Sequence, residues 1–283
     1  MKKALVIGNG ESRAWFKPCH QTILDNDVVT WGCNAIYREG KHCVHNLVSM
    51  DYGMQQEIYD SGWCDENPEY GDMHNIYFSN WSVVPAEVAD MMFMGFDIPE
   101  SFIHKSKNRT NQCVISGKDP ATLHEKIEYT IQMNPNLNMD DLKLKMGKDV
   151  GVWITYVKEH KNIIDVGNPN LSTGNMALMS ACHIQNAREI YMLGFDLSVY
   201  DRPINNIYKG TDNYLPASSK GFNPVNWIKQ MSEIFDKYKN RTFYWVDCKI
   251  KGGAKWHGSS IKDYHSNVKY LTKNQFCDRL NIL

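Results

Sequence analysis

No apolar run in these 283 residues approaches the ~20 needed to span a bilayer. Charge imbalance is missing too. The net charge is −1 with the basic residues scattered, which argues against nucleic acid or an anionic membrane as partner. None of the eight cysteines (Cys19, Cys33, Cys43, Cys64, Cys113, Cys182, Cys248 and Cys277) belongs to a C-x-x-C pair. Several sit inside apolar patterns, as in "TWGCNAIY" and "MSACHI", which is how free thiols of a reducing compartment look rather than a disulfide framework. After two lysines only "ALVI" precedes Gly8, too short for a signal-peptide core, so the expected location is cytoplasmic. The Asn-x-Ser/Thr triplets at Asn80, Asn108, Asn170 and Asn240 are then chance matches. Zinc spacings such as H-E-x-x-H, a Walker P-loop, a G-x-S-x-G elbow and the kinase set are all absent, and a metal site is not expected. Internal repeats and low-complexity tracts are absent as well.

What is present is ordinary globular composition, 42% hydrophobic and 22% charged, in a chain long enough for a sizeable core. Short segments rich in Val, Ile, Tyr and Trp read as strands: "KALVIG", "DVVTWGC", "CVHNLVSMD", "NIYFSNW", "NIIDVG", "EIYMLGFD" and "TFYWVDC". Helical patterns fall between them at about 11–17, 53–60, 121–132, 138–160, 173–186 and 224–239. In the last of these, Trp227, Met231, Ile234, Phe235 and Tyr238 share one face opposite Lys229, Glu233, Asp236 and Lys237, with Pro224 at the start. Strands apolar on both faces and alternating with helices predict an α/β, Rossmann-like fold. It has a mostly parallel sheet, helices on both faces and a small lid or insertion. The organisation expected is a single nucleotide-binding domain over 1–283. It carries an irregular excursion at about 98–150 and a lid-like, tyrosine-rich loop at about 198–222.

Four stretches carry chemistry. In "VIGNGES", Gly8 and Gly10 allow a sharp turn, and a helix start behind them presents free amides to an anion, with the Asn9 amide beside it. Position 13 is Arg13, so the dinucleotide fingerprint G-x-G-x-x-G is incomplete, and a bland strand-turn-helix is an equal reading. In "WGCNAIYREG", Asn34 follows a strand directly, where open α/β sheets bind ligands, although it can equally start a turn. In "LVSMDYG", Asp51 either binds a ligand or N-caps the next helix. In "NLSTGN", Ser172 and Thr173 either cap a helix or, with Gly174, grip a phosphate. His257, in "KWHGSSIKDYH", reads as a solvated loop histidine able to fold back onto a site.

In this order, "MKKALVIGNGES", "GCNAIYRE" and "LSTGNMALMSACHIQNAREIYMLGFDL" resemble the bacterial sialyltransferases of glycosyltransferase family 42. Those enzymes open on a strand followed by Gly-Asn-Gly-Pro-Ser and carry a Cys-Asn before an aromatic. Later a Thr-Ser-Gly helix feeds a strand ending in Gly-x-Asp. The match covers residues 1–50 and 170–197, about a quarter of the chain. A related group that includes archaeal pterin pyrophosphokinases shares parts of the pattern.

The resemblance implies a Rossmann-like sheet, a small lid, and CMP-sialic acid as donor with no required cofactor or metal. It implies that Gly8, Asn9, Gly10 and Ser12 hold the nucleotide phosphate and ribose, and that Asn34 contacts nucleotide or sugar. Ser172, Thr173 and Gly174 would hold the donor's phosphate or carboxylate, with Asp196 ending its strand beside the cytidine. Tyrosines that assist phosphate departure would correspond to Tyr200, Tyr208 and Tyr214. Two departures stand out. The family's catalytic histidine before the long helix has no counterpart in "YLPASSKGFNPVNW", and Asp51 stands where those enzymes have asparagine. The acceptor base must then be Asp51, Asp201 or His257, with Asp51 the first choice.

The expected function is transfer of a sialic acid-like sugar from a CMP-activated donor to the hydroxyl of a glycan or other acceptor. Two alternatives are a pyrophosphokinase-like transferase with Mg²⁺ on Asp51 and Asp196, and a nucleotide- or sugar-binding protein without catalysis. The acceptor, the exact sugar and any homo-oligomer are left open.

Overall fold

The computed structural model describes residues 2–18, 28–40, 43–65, 75–79, 81–95, 103–105, 112–116, 120–138, 141, 151–152, 162–167, 169–197, 203–247, 255–256 and 259–282. The chain forms two compact units, one of Met1–Ile76 with Asn170–Leu283 and one of Tyr77–Pro169. The excursion expected at about 98–150 lies inside the second.

The first unit is α/β and Rossmann-like. Its strands are β1 (Lys3–Ile7), β2 (Val28–Cys33), β3 (Asn46–Ser49) and β4 (Asn75–Phe78), the last continuing into the second unit. In the second unit follow β5 (Trp81–Pro85), β6 (Ile103–Lys105), β7 (Gln112–Ser116), β8 (Gly151–Val152) and β9 (Ile163–Asp165). Back in the first unit are β10 (Glu189–Leu193), β11 (Thr242–Val246), β12 (Lys255–Trp256), β13 (Ser259–Ser260) and β14 (Val268–Leu271). The sheet runs β14-β11-β10-β1-β2-β3, followed by β4. Every pair from β14 to β3 is parallel, with Val6 opposite Met192 on one side and Trp31 on the other. Ala4 to Ile7, Ile190 to Leu193 and Phe243 to Val246 are buried on both faces, which is why these strands read as continuous apolar runs.

Both units carry helices. In chain order the α-helices described are α1 (Tyr52–Asp60), α2 (Ala86–Gly95), α3 (Pro120–Gln132), α4 (Thr173–His183), α5 (Val225–Lys237), α6 (Ile261–Tyr264) and α7 (Lys273–Leu280). Helix α4 has almost no polar face, "TGNMALMSACH", because it is buried against β1, β2, β3 and β10 on one side and α5 on the other. Helix α5 buries Ile228, Met231, Ile234 and Phe235, so the amphipathic pattern reads correctly apart from Trp227 and Tyr238, which are half-buried. Thr272 and Gln275 close a capping box on α7.

Strand order ascends from β1 through β2 to β3 and from β10 through β11 to β14 in the opposite direction. The reversal falls between β1 and β10, and the carboxyl ends beside such a reversal are where open α/β sheets hold ligands.

In the second unit, β9 lies beside the end of β4, where the Val166 N–H donates to the Phe78 carbonyl at 2.9 Å. A separate antiparallel sheet runs β6-β7-β5-β8, and α2 packs on α3. The helix expected at 138–160 does not hold at Gly151–Val152, which pair with β5; most of the remainder lies outside the described residues. The helix expected at 11–17 is a 3-10 turn of only Glu11–Arg13. Among the described residues no helix is long and apolar enough to cross a membrane. Cys33, Cys43, Cys64, Cys182 and Cys277 are free thiols.

Two neutral histidines knit the first unit. His45 Nδ1 accepts the Thr30 N–H at 3.1 Å, and His265 Nε2 meets Ser232 Oγ at 2.5 Å with its ring against Phe235 and Tyr264. Burial holds both below the ordinary histidine pKa; for His265 it prevails over Asp236, which pulls the other way. A depressed histidine pKa means that the folded state resists the proton that the unfolded chain accepts. Stability is therefore complete above the ordinary value of about 6.5 and falls as pH drops through it. Thermal unfolding should give a Tm that declines from pH 7 to pH 5. In His265→Asn the decline should be shallower, despite a lower Tm at pH 7 from the lost Ser232 bond.

Candidate functional site

The site is built at the carboxyl ends of β1, β2, β3 and β10. Two glycine turns are zipped together first. The Gly8 N–H donates to the Leu193 carbonyl at 2.8 Å and the Gly10 N–H to the Gly194 carbonyl at 2.9 Å. A Cβ on Gly8 would lie 2.7 Å from the Gly194 oxygen, and one on Gly10 would lie 2.5 Å from the Asp196 Cγ. Only glycine allows this approach.

Asp196 is buried, and its carboxylate accepts the Ser12 N–H at 2.7 Å on one oxygen and the Ser12 hydroxyl on the other. The Gly-x-Asp end of β10 thus holds the start of the Glu11–Arg13 turn. The acid at the end of the strand closes the opposite turn, with a charge suited to its amide.

Arg13 stands where the dinucleotide fingerprint has its last glycine. Its side chain is 1% exposed and runs back beneath the turn, with Nε donating to the Gly8 carbonyl at 2.6 Å. Its Nη2 donates to Glu39 Oε1 at 2.8 Å and to the Tyr208 hydroxyl at 2.9 Å, and that hydroxyl donates in turn to Glu39. Burial and the neighbouring Glu39 carboxylate hold the Tyr208 phenol well above its usual pKa. Tyr208 is thereby a structural brace.

Asn34 ends β2 with φ +50°, the left-handed conformation that asparagine tolerates better than most residues and that bends the chain into the Asn34–Glu39 turn. Its side chain neighbours the Asp51 carboxyl and pulls that group's pKa down. Asp51 begins α1 but makes no capping bond with its side chain, so the capping reading is not realised. The Asp51 residue is solvent-exposed, yet enough protein surrounds its carboxyl to raise the pKa above the usual carboxylate value, against the pull of Asn34. Asn9 Oδ1 and Asn34 Oδ1 are both buried without a partner.

Over these ends runs a strap, residues 203–220, within the described part of the lid-like loop. It is pinned at many points. The Ile207 N–H donates to the Asn9 carbonyl at 2.9 Å, Asn205 Oδ1 accepts the Glu11 N–H at 2.7 Å, and Lys209 pairs with Glu11 at 2.5 Å. Arg38 donates to Thr211 Oγ1 at 2.7 Å and to the Asp212 carbonyl at 3.0 Å, while Glu57 accepts from Arg38 at 2.6 Å and from Asn213 at 2.6 Å.

The strap delivers Tyr214. Its hydroxyl accepts from Asn9 Nδ2 at 3.0 Å and from the Ala35 N–H at 3.4 Å. With two donors on its oxygen, the group left to offer is its own proton. Burial, with the charge of Asp51, raises its pKa over the opposing Ala35 amide and Arg38, so it remains a donor. The Cys33 thiol, pushed up to about 12 by burial, is inert beside it.

Ser172 makes no side-chain capping bond to α4 either; its N–H goes to Gln230 Oε1 at 3.0 Å. A Cβ on Gly174 would meet the Phe195 ring at 3.4 Å, and one on Gly8 would meet the same ring at 3.4 Å. Gly174 therefore reaches the Gly8 turn through Phe195. Asn9 and Tyr214 are hydrogen-bonded with Asn34 and Asp51 beside them, and Gly8, Gly10, Ser12 and Asp196 are their scaffold. Tyr200, Asp201 and His257 lie outside the described residues.

Sequence reasoning missed Arg13, Arg38, Glu39, Glu57 and Phe195. The signal for three of them was present, as "YREG" begins three residues after Asn34 and Arg13 replaces a glycine. Among the described residues, no group of three His, Cys, Asp or Glu is placed to hold a metal ion. Comparison with protein-family models, curated proteins and solved structures finds no match, so the likeness to sialyltransferases rests on the motifs alone.

Proposed function

We propose that this chain is a glycosyltransferase that moves a sialic acid-like sugar from a CMP-activated donor to an acceptor hydroxyl. The observation that carries the reading is the Tyr214 hydroxyl. It is oriented by Asn9 and the Ala35 amide, kept protonated by burial, and neighbours Asp51 at the carboxyl edge of the sheet. In the proposed step the acceptor oxygen bonds to the anomeric carbon, and the bond from that carbon to the phosphate oxygen breaks. CMP leaves with the electron pair, steadied by a hydrogen bond from Tyr214, and Asp51 takes the acceptor's proton. Asn9 and Asn34 offer acceptor oxygens to ribose or sugar hydroxyls once the strap lifts. The uncapped first turn of α4 suits an anionic group of the donor.

Thermal-shift titration with CMP, CDP, UMP, UDP, GDP and ADP, with and without Mg²⁺, tests the nucleotide. Cytidine nucleotides are expected to stabilise without metal, by about 2.7 kcal/mol at 100 times the dissociation constant, and Asn9→Ala to abolish the effect. Tyr214→Phe is expected to lower turnover about 10²-fold while leaving CMP affinity within a few-fold. Stabilisation by a purine nucleotide only with Mg²⁺ would overturn the reading in favour of a pyrophosphokinase-like transferase. That alternative is disfavoured by Asp196, whose two oxygens both hold Ser12. Binding without any donor turnover or hydrolysis would leave a nucleotide-binding protein.

A further inference from the structure

Three consecutive strap residues are gripped by two side chains from elsewhere in the chain. Arg38 Nη1 donates to Thr211 Oγ1 at 2.7 Å and Nη2 to the Asp212 carbonyl at 3.0 Å, while Asn213 Nδ2 donates to Glu57 Oε2 at 2.6 Å. Glu57 joins the two grips, because its other oxygen accepts from Arg38 Nε at 2.6 Å and from the Tyr37 hydroxyl at 2.5 Å. An amide offers one acceptor oxygen, whereas this carboxylate serves three donors with two.

The gripped piece is stiff. The Gly210 N–H donates to the Leu215 carbonyl at 2.8 Å and the Tyr214 N–H to the Thr211 carbonyl at 3.0 Å, so residues 210–215 close on themselves. Thr211, Asp212 and Asn213 are held by Arg38 and Glu57, and the next residue, Tyr214, enters the site with its ring centre 5.9 Å from the Arg38 guanidinium. Asn213 also lies along one face of α1. A Cβ on Gly53 would stand 2.7 Å from its Oδ1, and Glu57, four residues further on, holds its Nδ2. Asp51 stands immediately before the same helix. One helix therefore carries the carboxylate at its start and holds the phenol through Asn213.

An acid and a base that act on one bond depend on their spacing, and a displacement of about 1 Å made far from the chemistry can cost about 10²-fold in rate. We propose that Glu57 is a positioning residue, which acts through Asn213 and Arg38 to set Tyr214 relative to Asp51 and touches neither donor nor acceptor. This rests on the transferase reading.

The test compares the full chain as wild type, as Glu57→Gln, and as the double variant Glu57→Gln with Asn213→Asp. In Glu57→Gln the new amide turns its oxygen to Arg38 and leaves its NH2 against the Asn213 NH2, donor facing donor. In the double variant that NH2 meets a carboxylate, so the bridge returns with donor and acceptor exchanged. Aspartate, like asparagine, tolerates the left-handed conformation at 213, where φ is +61°. Release of CMP from CMP-sialic acid, the CMP thermal shift and hydrogen exchange are measured on each. In Glu57→Gln, kcat is expected to fall about tenfold with KM and the CMP shift within about twofold of wild type. Exchange should quicken in 209–215 but not in β10 or β11, and the double variant should restore both kcat and exchange. Unchanged kcat in Glu57→Gln, unchanged exchange in 209–215, or a loss that the double variant does not restore overturns the inference and leaves the transferase reading standing. Faster exchange throughout the sheet together with a lower Tm makes Glu57 a folding residue and overturns it as well. A wild type that neither releases CMP nor is stabilised by it overturns the transferase reading, and the role of Glu57 falls with it.

Discussion

Arg13→Leu is expected to cost about 3 kcal/mol of folding stability, at the lower end for breaking a buried ion pair because Glu39 retains 24% side-chain exposure and some hydration. The loss has three parts. The Gly8 carbonyl loses its Nε donor, the Glu39 carboxylate its fork, and the Tyr208 hydroxyl one of two partners. For a chain of this size that is a Tm lower by roughly 6–12 °C. Arg13→Lys should recover little, since a single ammonium cannot serve Gly8, Glu39 and Tyr208 together. Because Tyr208 lies in the strap, hydrogen exchange in 203–220 should speed up more than in β10 or β11. Uniform acceleration across the unit would show instead that Arg13 supports the sheet and not the strap.

Arg13 also shows how far the sequence could be read. Strands such as "KALVIG" and "EIYMLGFD" declare themselves because each is buried on both faces, so their patterns need no knowledge of neighbours. The places of Asn34 and Asp51 just past the ends of β2 and β3 were legible because strand-terminal positions are fixed by local order alone. Contacts between distant segments were not legible. Ser12 and Asp196 are 184 residues apart, and nothing in "GFDL" reveals that its acid closes the turn in "GNGES". Tyr208 and Tyr214 look alike in sequence, yet one braces Arg13 while the other faces Asn9, a difference set by strap geometry. The antiparallel sheet β6-β7-β5-β8 escaped for a different reason. Its strands are short and sit among polar tracts such as "HKSKNRTNQ", where periodicity is weak.

Asp51→Asn is expected to do two opposite things. Transfer to the acceptor should fall by about 10²–10⁴-fold, since an amide cannot take the acceptor's proton, while metal-free stabilisation by CMP persists. The folded apo protein should at the same time become more stable near neutral pH. Protein around the carboxyl raises the Asp51 pKa, an effect that the residue's exposure reduces and that Asn34 opposes, so the ionised carboxylate is mildly penalised in the folded state. For an acid with a raised pKa the penalty is absent below the ordinary carboxylate value of about 4 and complete above the raised one. The gain in Tm should accordingly be present at pH 7 and vanish near pH 4. The conjunction discriminates between roles. A charge kept for folding would give a lower Tm when neutralised, and a cap on α1 would give a lower Tm at every pH. A charge kept for chemistry gives less turnover and more stability together, because the site tolerates an unfavourable carboxylate in order to have a base there. Full turnover in Asp51→Asn would end the assignment and direct the search for the base to Asp201 and His257.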